Sequence, residues 1–91
     1  MPRETPCYVY IIHCRDDTFY TGWTDDLEKR TAAHNEGKGA RYTRGRRPVT
    51  LAYSEELSSR SEAMRREREI KKMTRTTKLE LIERVRAISR I

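Results

Sequence analysis

Apolar positions fall in short alternating runs in the first half of the chain and in helically spaced stripes in the second. Cys7 to Cys14 is apolar except for His13, and Phe19 to Thr24 is shorter but similar, both rich in β-branched and aromatic residues. Asp16-Asp17 between them supplies turn chemistry, so the two runs predict a β-hairpin. Side chains alternate along a strand, which puts Tyr8, Tyr10 and Ile12 on one face and Val9, Ile11 and His13 on the other. Whether Tyr10 and Tyr20 share a face depends on the loop: an odd number of loop residues allows it and an even number forbids it. A three-residue loop at Arg15–Asp17 would set Gly22 opposite Tyr10 and leave room beside that phenol for a ligand. Val49, Leu51 and Tyr53 alternate through a third strand, expected over Val49–Ser54.

Three helices are expected, near Asp26–Glu36, Arg60–Met73 and Lys78–Ser89. Asp25-Asp26-Leu27-Glu28 reads as a capping box with Asp25 as N-cap, and Gly37 stops the first helix. One of its faces carries Leu27, Arg30, Thr31 and His34, a set poorly suited to pure packing. Arg30 and His34 could form an anion site there, or simply a solvated face. Ser59-Arg60-Ser61-Glu62 opens the second helix, on which Ala63, Glu67, Ile70 and Thr74 follow at helical spacing while Arg65, Arg68 and Lys72 point away. A carboxylate on an inward stripe costs free energy unless it is paired or holds a cation, which makes Glu67 the most informative acid in the chain. A pair with Arg30 or a neighbouring arginine is the plainer alternative. Thr77-Lys78-Leu79-Glu80 opens the third helix, with Leu81, Ile82, Val85 and Ile88 as its buried stripe.

These elements describe a mixed α/β fold: a three-stranded, mainly antiparallel sheet flanked by three helices. Ninety-one residues suit one domain, 1–91, with a core over about 7–83 and a short polar lead from Met1 to Pro6. No apolar run approaches a membrane span and the N-terminus lacks the apolar centre of a signal peptide, so a cytoplasmic location is expected. Cys7 and Cys14 would sit on opposite faces of one strand and should not bridge, and two cysteines with two unclustered histidines make no zinc site.

Twenty Lys and Arg against fourteen Asp and Glu give a net charge of +6, which suggests a polyanionic partner. The distribution says more than the total. Lys38, Arg41, Arg44, Arg46 and Arg47 fall within a stretch that contains no acid and includes Tyr42. Glycine lets a backbone approach a ligand, arginine neutralises phosphate and tyrosine stacks on bases, so Gly37–Arg47 reads as a nucleic-acid-binding loop, with a solvated disordered loop as the competing reading.

Tyr8-Val9-Tyr10 and Tyr20-Thr21-Gly22, followed by Arg30 on a helix, resemble the signature of the GIY-YIG nucleases, with Tyr8 in place of the first Gly and Thr21 in place of the middle Ile. With Gly37-Lys38-Gly39-Ala40-Arg41-Tyr42-Thr43 downstream, the chain is similar to small, single-domain, bacterial-type members, over about Tyr8 to Leu81. The resemblance implies a metal-dependent nuclease acting on DNA, structured or single-stranded, with Mg²⁺ or Mn²⁺ as cofactor. It implies Tyr10 as general base or water-positioner, Tyr20 as its partner, Arg30 on the scissile phosphate, His34 assisting and Glu67 on the metal. Glu69 and Glu62 lie within a small alignment slip of that last assignment. The absence of a separate recognition domain points to low sequence specificity. Two other functions remain open: a non-catalytic nucleic-acid-binding module on the same fold, and an adaptor that binds acidic protein surfaces. The five site residues should converge on one cleft.

Overall fold

The computed structural model describes residues 6–89, and side chains as far as Val85; the lead before Pro6 and the side chain of Ile88 lie outside the described residues. Strand β1 (Cys7–Cys14) and strand β2 (Phe19–Thr24) form the expected hairpin. The Asp17 amide donates to the Cys14 carbonyl and the Cys14 amide to that of Thr18, closing a three-residue loop. Asp17 takes φ of 66°, the left-handed conformation that aspartate tolerates better than most side chains. With that loop length Tyr10 pairs with Gly22 and Ile12 with Tyr20.

Strand β3 (Val49–Leu57) pairs antiparallel with the other side of β1, giving the order β2-β1-β3. It runs past Ser54 to Leu57, longer than expected. Ile11 faces Tyr53 while Ile12 faces Leu51, so Ala52 is an extra residue in the strand. This bulge overturns the simple alternation of Val49, Leu51 and Tyr53. Val49 packs with Tyr10, Ile12 and Cys14, whereas Tyr53 packs with Val9 and Ile11 on the opposite face. Leu51 is left 41% exposed.

The described residues form four helices, not three: α1 (Leu27–Asn35), the single turn α2 (Arg41–Arg44), α3 (Arg60–Lys71) and α4 (Arg75–Ser89). Ile70 of α3 and Ile82 of α4 cover Val9, Ile11 and Tyr53; Leu27 of α1 covers Tyr10 and Ile12. The N-cap of α1 is Asp26, not Asp25, because its carboxylate accepts from the Lys29 amide at 3.1 Å. Ser59 caps α3 as expected, but the returning Glu62 carboxylate takes the Ser58 amide and hydroxyl. Helix α3 stops at Lys71, and α4 begins at Arg75, three residues before Lys78. The Thr74 hydroxyl accepts from the Thr77 amide, so Thr74 starts a new helix instead of ending the previous stripe. Within α4, Ile82 is buried, Leu81 is half-buried and Val85 is exposed, so Val85 leaves the predicted stripe. The two cysteine thiols are buried and do not bridge.

A polar clamp sets the rotation of α3 on the sheet. Arg66 Nε donates to both oxygens of Glu55 on β3, at 3.1 and 3.2 Å, and the Tyr53 hydroxyl donates to the same carboxylate at 2.6 Å. The next residue, Glu67, stands about 100° further round the helix, with its side chain 20% exposed.

Candidate active site

Tyr10 lies in the middle of β1, 2% exposed, with its ring laid across Gly22. A Cβ at position 22 would stand 2.5 Å from the Tyr10 hydroxyl oxygen, so glycine there is what gives the phenol its place. Arg30 and His34, one turn apart on α1, both reach that oxygen. Arg30 Nε donates to it at 3.4 Å, and His34 Nε2 lies 3.0 Å away. Tyr20, on the neighbouring strand, sets its ring edge-on to His34 at 5.4 Å and stacks on Tyr42 at 5.9 Å. These four predicted residues form one cluster.

His34 is fully buried, so its helix face is no solvated surface. Its Nδ1 lies 2.8 Å from the hydroxyl of Thr43 on α2, which is also fully buried. Burial, and then the Arg30 charge, lower the His34 pKa to about 4, leaving a neutral imidazole at physiological pH. Burial raises the Tyr10 phenol; Arg30 opposes that shift, while Tyr20 and Glu67 add to it. The phenol therefore keeps its proton.

Glu67 is inward-facing, with its side chain 20% exposed, and makes no direct bond to the other four. Among the described residues its ion-pair partner is Lys71 at 3.6 Å, not Arg30 or another arginine. Its charge is nonetheless felt at the Tyr10 phenol, although α3 packs on the Val9 and Ile11 face of the sheet and the Tyr10 ring lies on the other. No three His, Cys, Asp or Glu side chains gather as a metal-binding group among the described residues. A lone, partly exposed carboxylate is a poor zinc site. It fits a hard cation that keeps most of its waters and takes its remaining ligands from a phosphate.

The basic stretch is a loop interrupted by one helical turn, Arg41–Arg44. It winds into α2, with Thr43 turned inward and Arg41 and Arg44 outward. Arg46 and Arg47 are held internally. Arg46 lies 4.0 Å over the Tyr42 ring and pairs with Asp16 at 3.0 Å, while Arg47 donates to the carbonyls of Arg44 and Asn35. Tyr42, 38% exposed, is thus already engaged by Arg46 and Tyr20. Lys38 makes a long surface contact of 3.9 Å with Glu36. Arg41 and Arg44 have no ion-pair partner among the described residues, and Arg44 joins Arg15, Asn35 and Arg47 around a shallow groove of about 600 Å³. A smaller cavity of about 160 Å³, beside His13, Phe19, Leu79 and Ile82, contains none of the five predicted site residues.

Two residues of this neighbourhood escape a reading of the sequence. Thr43 carries no periodic signal, because its role comes from a single turn after three unpatterned residues. Asn35 bonds both the amide and the carbonyl of Val49, at 2.8 and 3.0 Å, and so fixes the end of α1 that carries His34.

The family model described as the GIY-YIG catalytic domain matches residues 6–80. The chain belongs to the GIY-YIG family. That family is one of nucleases, and no helix among the described residues is long and apolar enough to cross a membrane. A UPF0213 protein of Staphylococcus haemolyticus is 59% identical over 76 residues, covering 84% of this chain and 93% of that protein. A UPF0213 protein of Halobacterium salinarum is 56% identical over 71 residues, covering 78% and 92%. Among solved structures, the solution structure of a UPF0213 protein from Bacillus halodurans is similar with a TM-score of 0.56 and 45% identity, covering 86% of this chain and 83% of that one. A protein from E. faecalis is similar with a TM-score of 0.62 and 36% identity, covering 96% and 93%. The two GIY-YIG signature segments are thus the paired strands β1 and β2, and their tyrosines face α1.

Proposed function

We propose that this GIY-YIG protein is a metal-dependent nuclease that hydrolyses DNA phosphodiester bonds with little intrinsic sequence specificity. The observation that carries the reading is the Tyr10 hydroxyl held between the Arg30 guanidinium and a neutral His34. Phosphodiester hydrolysis needs a proton acceptor near the attacking water and positive charge at the developing phosphorane. In this reading Tyr10 orients the water and receives its proton, and Arg30 binds the scissile phosphate. Tyr20 closes the cleft against His34. Glu67 would hold Mg²⁺ or Mn²⁺, which when bound supplies Lewis-acid stabilisation of phosphate charge.

The outward Arg41 and Arg44, with Lys38, would contact the phosphate backbone; Arg46, Arg47 and Tyr42, tied to neighbours within the protein, would line the same surface. Backbone contacts of this kind carry no sequence information, which supports low specificity.

Cleavage of single-stranded, duplex and branched DNA, with Mg²⁺ or Mn²⁺, tests the reading. The native protein should cut, and Tyr10→Phe and Glu67→Ala should each lose at least about 100-fold, the lower end for a general acid–base contribution. No cutting of any substrate, with salt-sensitive binding intact in all three proteins, would instead identify a binding module on the nuclease fold.

A further inference from the structure

We infer that Thr43 is a positioning residue that fixes His34 in the tautomer protonated at Nδ1, so that Nε2 presents a lone pair to the Tyr10 hydroxyl. The inference rests on the nuclease reading for its consequence in catalysis, but not for its geometry.

The assignment follows from counting hydrogens along one buried line of contacts. Thr43 Oγ1 lies 3.0 Å from the Ala40 carbonyl oxygen and 2.8 Å from His34 Nδ1. A carbonyl only accepts, so with the single hydroxyl proton of Thr43 given to Ala40 the Thr43 oxygen accepts from Nδ1–H. Nε2 is then unprotonated and accepts from the Tyr10 hydroxyl at 3.0 Å, while Arg30 Nε–H serves the remaining lone pair of the phenol. Every one of these four contacts receives one proton. The other tautomer takes the Thr43 hydroxyl proton from the Ala40 carbonyl, which keeps only the Thr43 amide, and gives the buried Tyr10 hydroxyl no acceptor. The Ala40 amide stands 3.4 Å from Nδ1, the longest approach to that ring, and is the one contact that the assigned tautomer leaves unused.

The chain is built so that α2 can reach this position. A side chain at Gly39 would run into the His34 ring, so the backbone passes over the imidazole only because residue 39 lacks a Cβ. The segment that looked like a phosphate-binding loop in the sequence therefore has a second, inward role. It closes over the histidine and sets its proton.

The proton path then has a direction. As the attacking water gives a proton to the Tyr10 oxygen, the phenol's own proton passes to His34 Nε2. The water oxygen uses the freed electron pair to form the new P–O bond, and the leaving oxygen departs with the pair of the bond that breaks. The imidazolium retains Nδ1–H on Thr43 and returns its Nε2 proton through Tyr10 to solvent after product leaves.

The tautomer can be read without any turnover, from the ¹⁵N shifts of the His34 ring in two-bond ¹H–¹⁵N spectra of the full chain near neutral pH. The expected result is a protonated Nδ1 in the native protein and in Thr43→Ser, and a switch towards Nε2–H in Thr43→Val. In the DNA-cleavage assay Thr43→Val should lose 10-fold or more in kcat with KM little changed, and Thr43→Ser should restore most of it. A native His34 protonated at Nε2 would overturn the inference, whatever the variants do, and so would an unchanged tautomer in a folded Thr43→Val protein. Should no DNA be cut at all, the nuclease reading fails while the ring nitrogens still decide the role of Thr43.

Discussion

Thr21 sits 3% exposed on β2, with its hydroxyl bonded to nothing among the described residues, at the position where the signature of the family has isoleucine. It pairs with Ile11 and so faces the α3 side, away from the tyrosine cluster. A buried hydroxyl without a partner loses its hydration for no return. Thr21→Val keeps the shape and removes the hydroxyl, and should raise stability by about 1 kcal/mol. The check is a urea unfolding midpoint that moves up at unchanged slope. A lower midpoint would show that the hydroxyl is hydrogen-bonded in solution. Cleavage should not change, since Thr21 lies on the other face from Tyr10.

Among the elements, α3 depends for its placement on a polar contact across to β3. Ala63 and Ile70 define its buried side, but two small contact points leave rotation about the helix axis loosely set. Arg66, held by Glu55, supplies the missing constraint, and Glu67 inherits its direction from it. Glu55→Gln should cost about 1–2 kcal/mol, the range for bonds to a charged group that is partly solvent-accessible. It should also lower metal-supported cleavage while leaving Tyr10 and His34 in place, which the histidine ¹⁵N spectrum would register as no change. Much of the element layout is legible beforehand. The hairpin follows from alternation and turn chemistry, and the pairing of Tyr10 with Gly22 follows once the loop has three residues, a length that alternation alone leaves open. The inward aim of Glu67 follows from helical spacing. What escapes has local causes. Adjacent aspartates 25 and 26 are equally good caps, and Thr24 chooses between them by accepting the Asp26 amide. The Ala52 bulge leaves no mark in a strand of mixed polarity. The turn α2 hides in a glycine-rich, basic stretch whose composition reads as solvated, although Thr43 at its centre is wholly buried.

For the molecule as a whole, the buried histidine ties stability to acidity. His34 has its pKa lowered from 6.5 to about 4 by burial and by Arg30, so between these values the unfolded chain binds a proton that the folded one refuses. Stability contributed by the neutral ring is complete above pH 6.5 and falls as pH drops towards 4, by an amount of the order of 3 kcal/mol in total. Urea unfolding at a series of pH values should show this loss in the native protein and a smaller one in His34→Gln. Equal pH dependence in both would place the acid sensitivity elsewhere. Charge is distributed unevenly at this scale. Two of the arginines in the basic stretch are occupied by Asp16, Tyr42 and main-chain carbonyls, so a substrate meets fewer mobile cations than the net charge of +6 suggests.

Asn35 has one more effect, which concerns neighbours and not substrates. Strand β3 is an outer strand of the sheet, and its unshared amides and carbonyls are the kind of surface on which another chain can add a strand. At Val49 the carboxamide of Asn35 takes the amide and the carbonyl together, imitating the peptide group of an adjoining strand. A second molecule approaching that end of β3 finds the first rung of the ladder occupied. One side chain thereby blunts edge-to-edge growth of the sheet at the place where α1 is anchored.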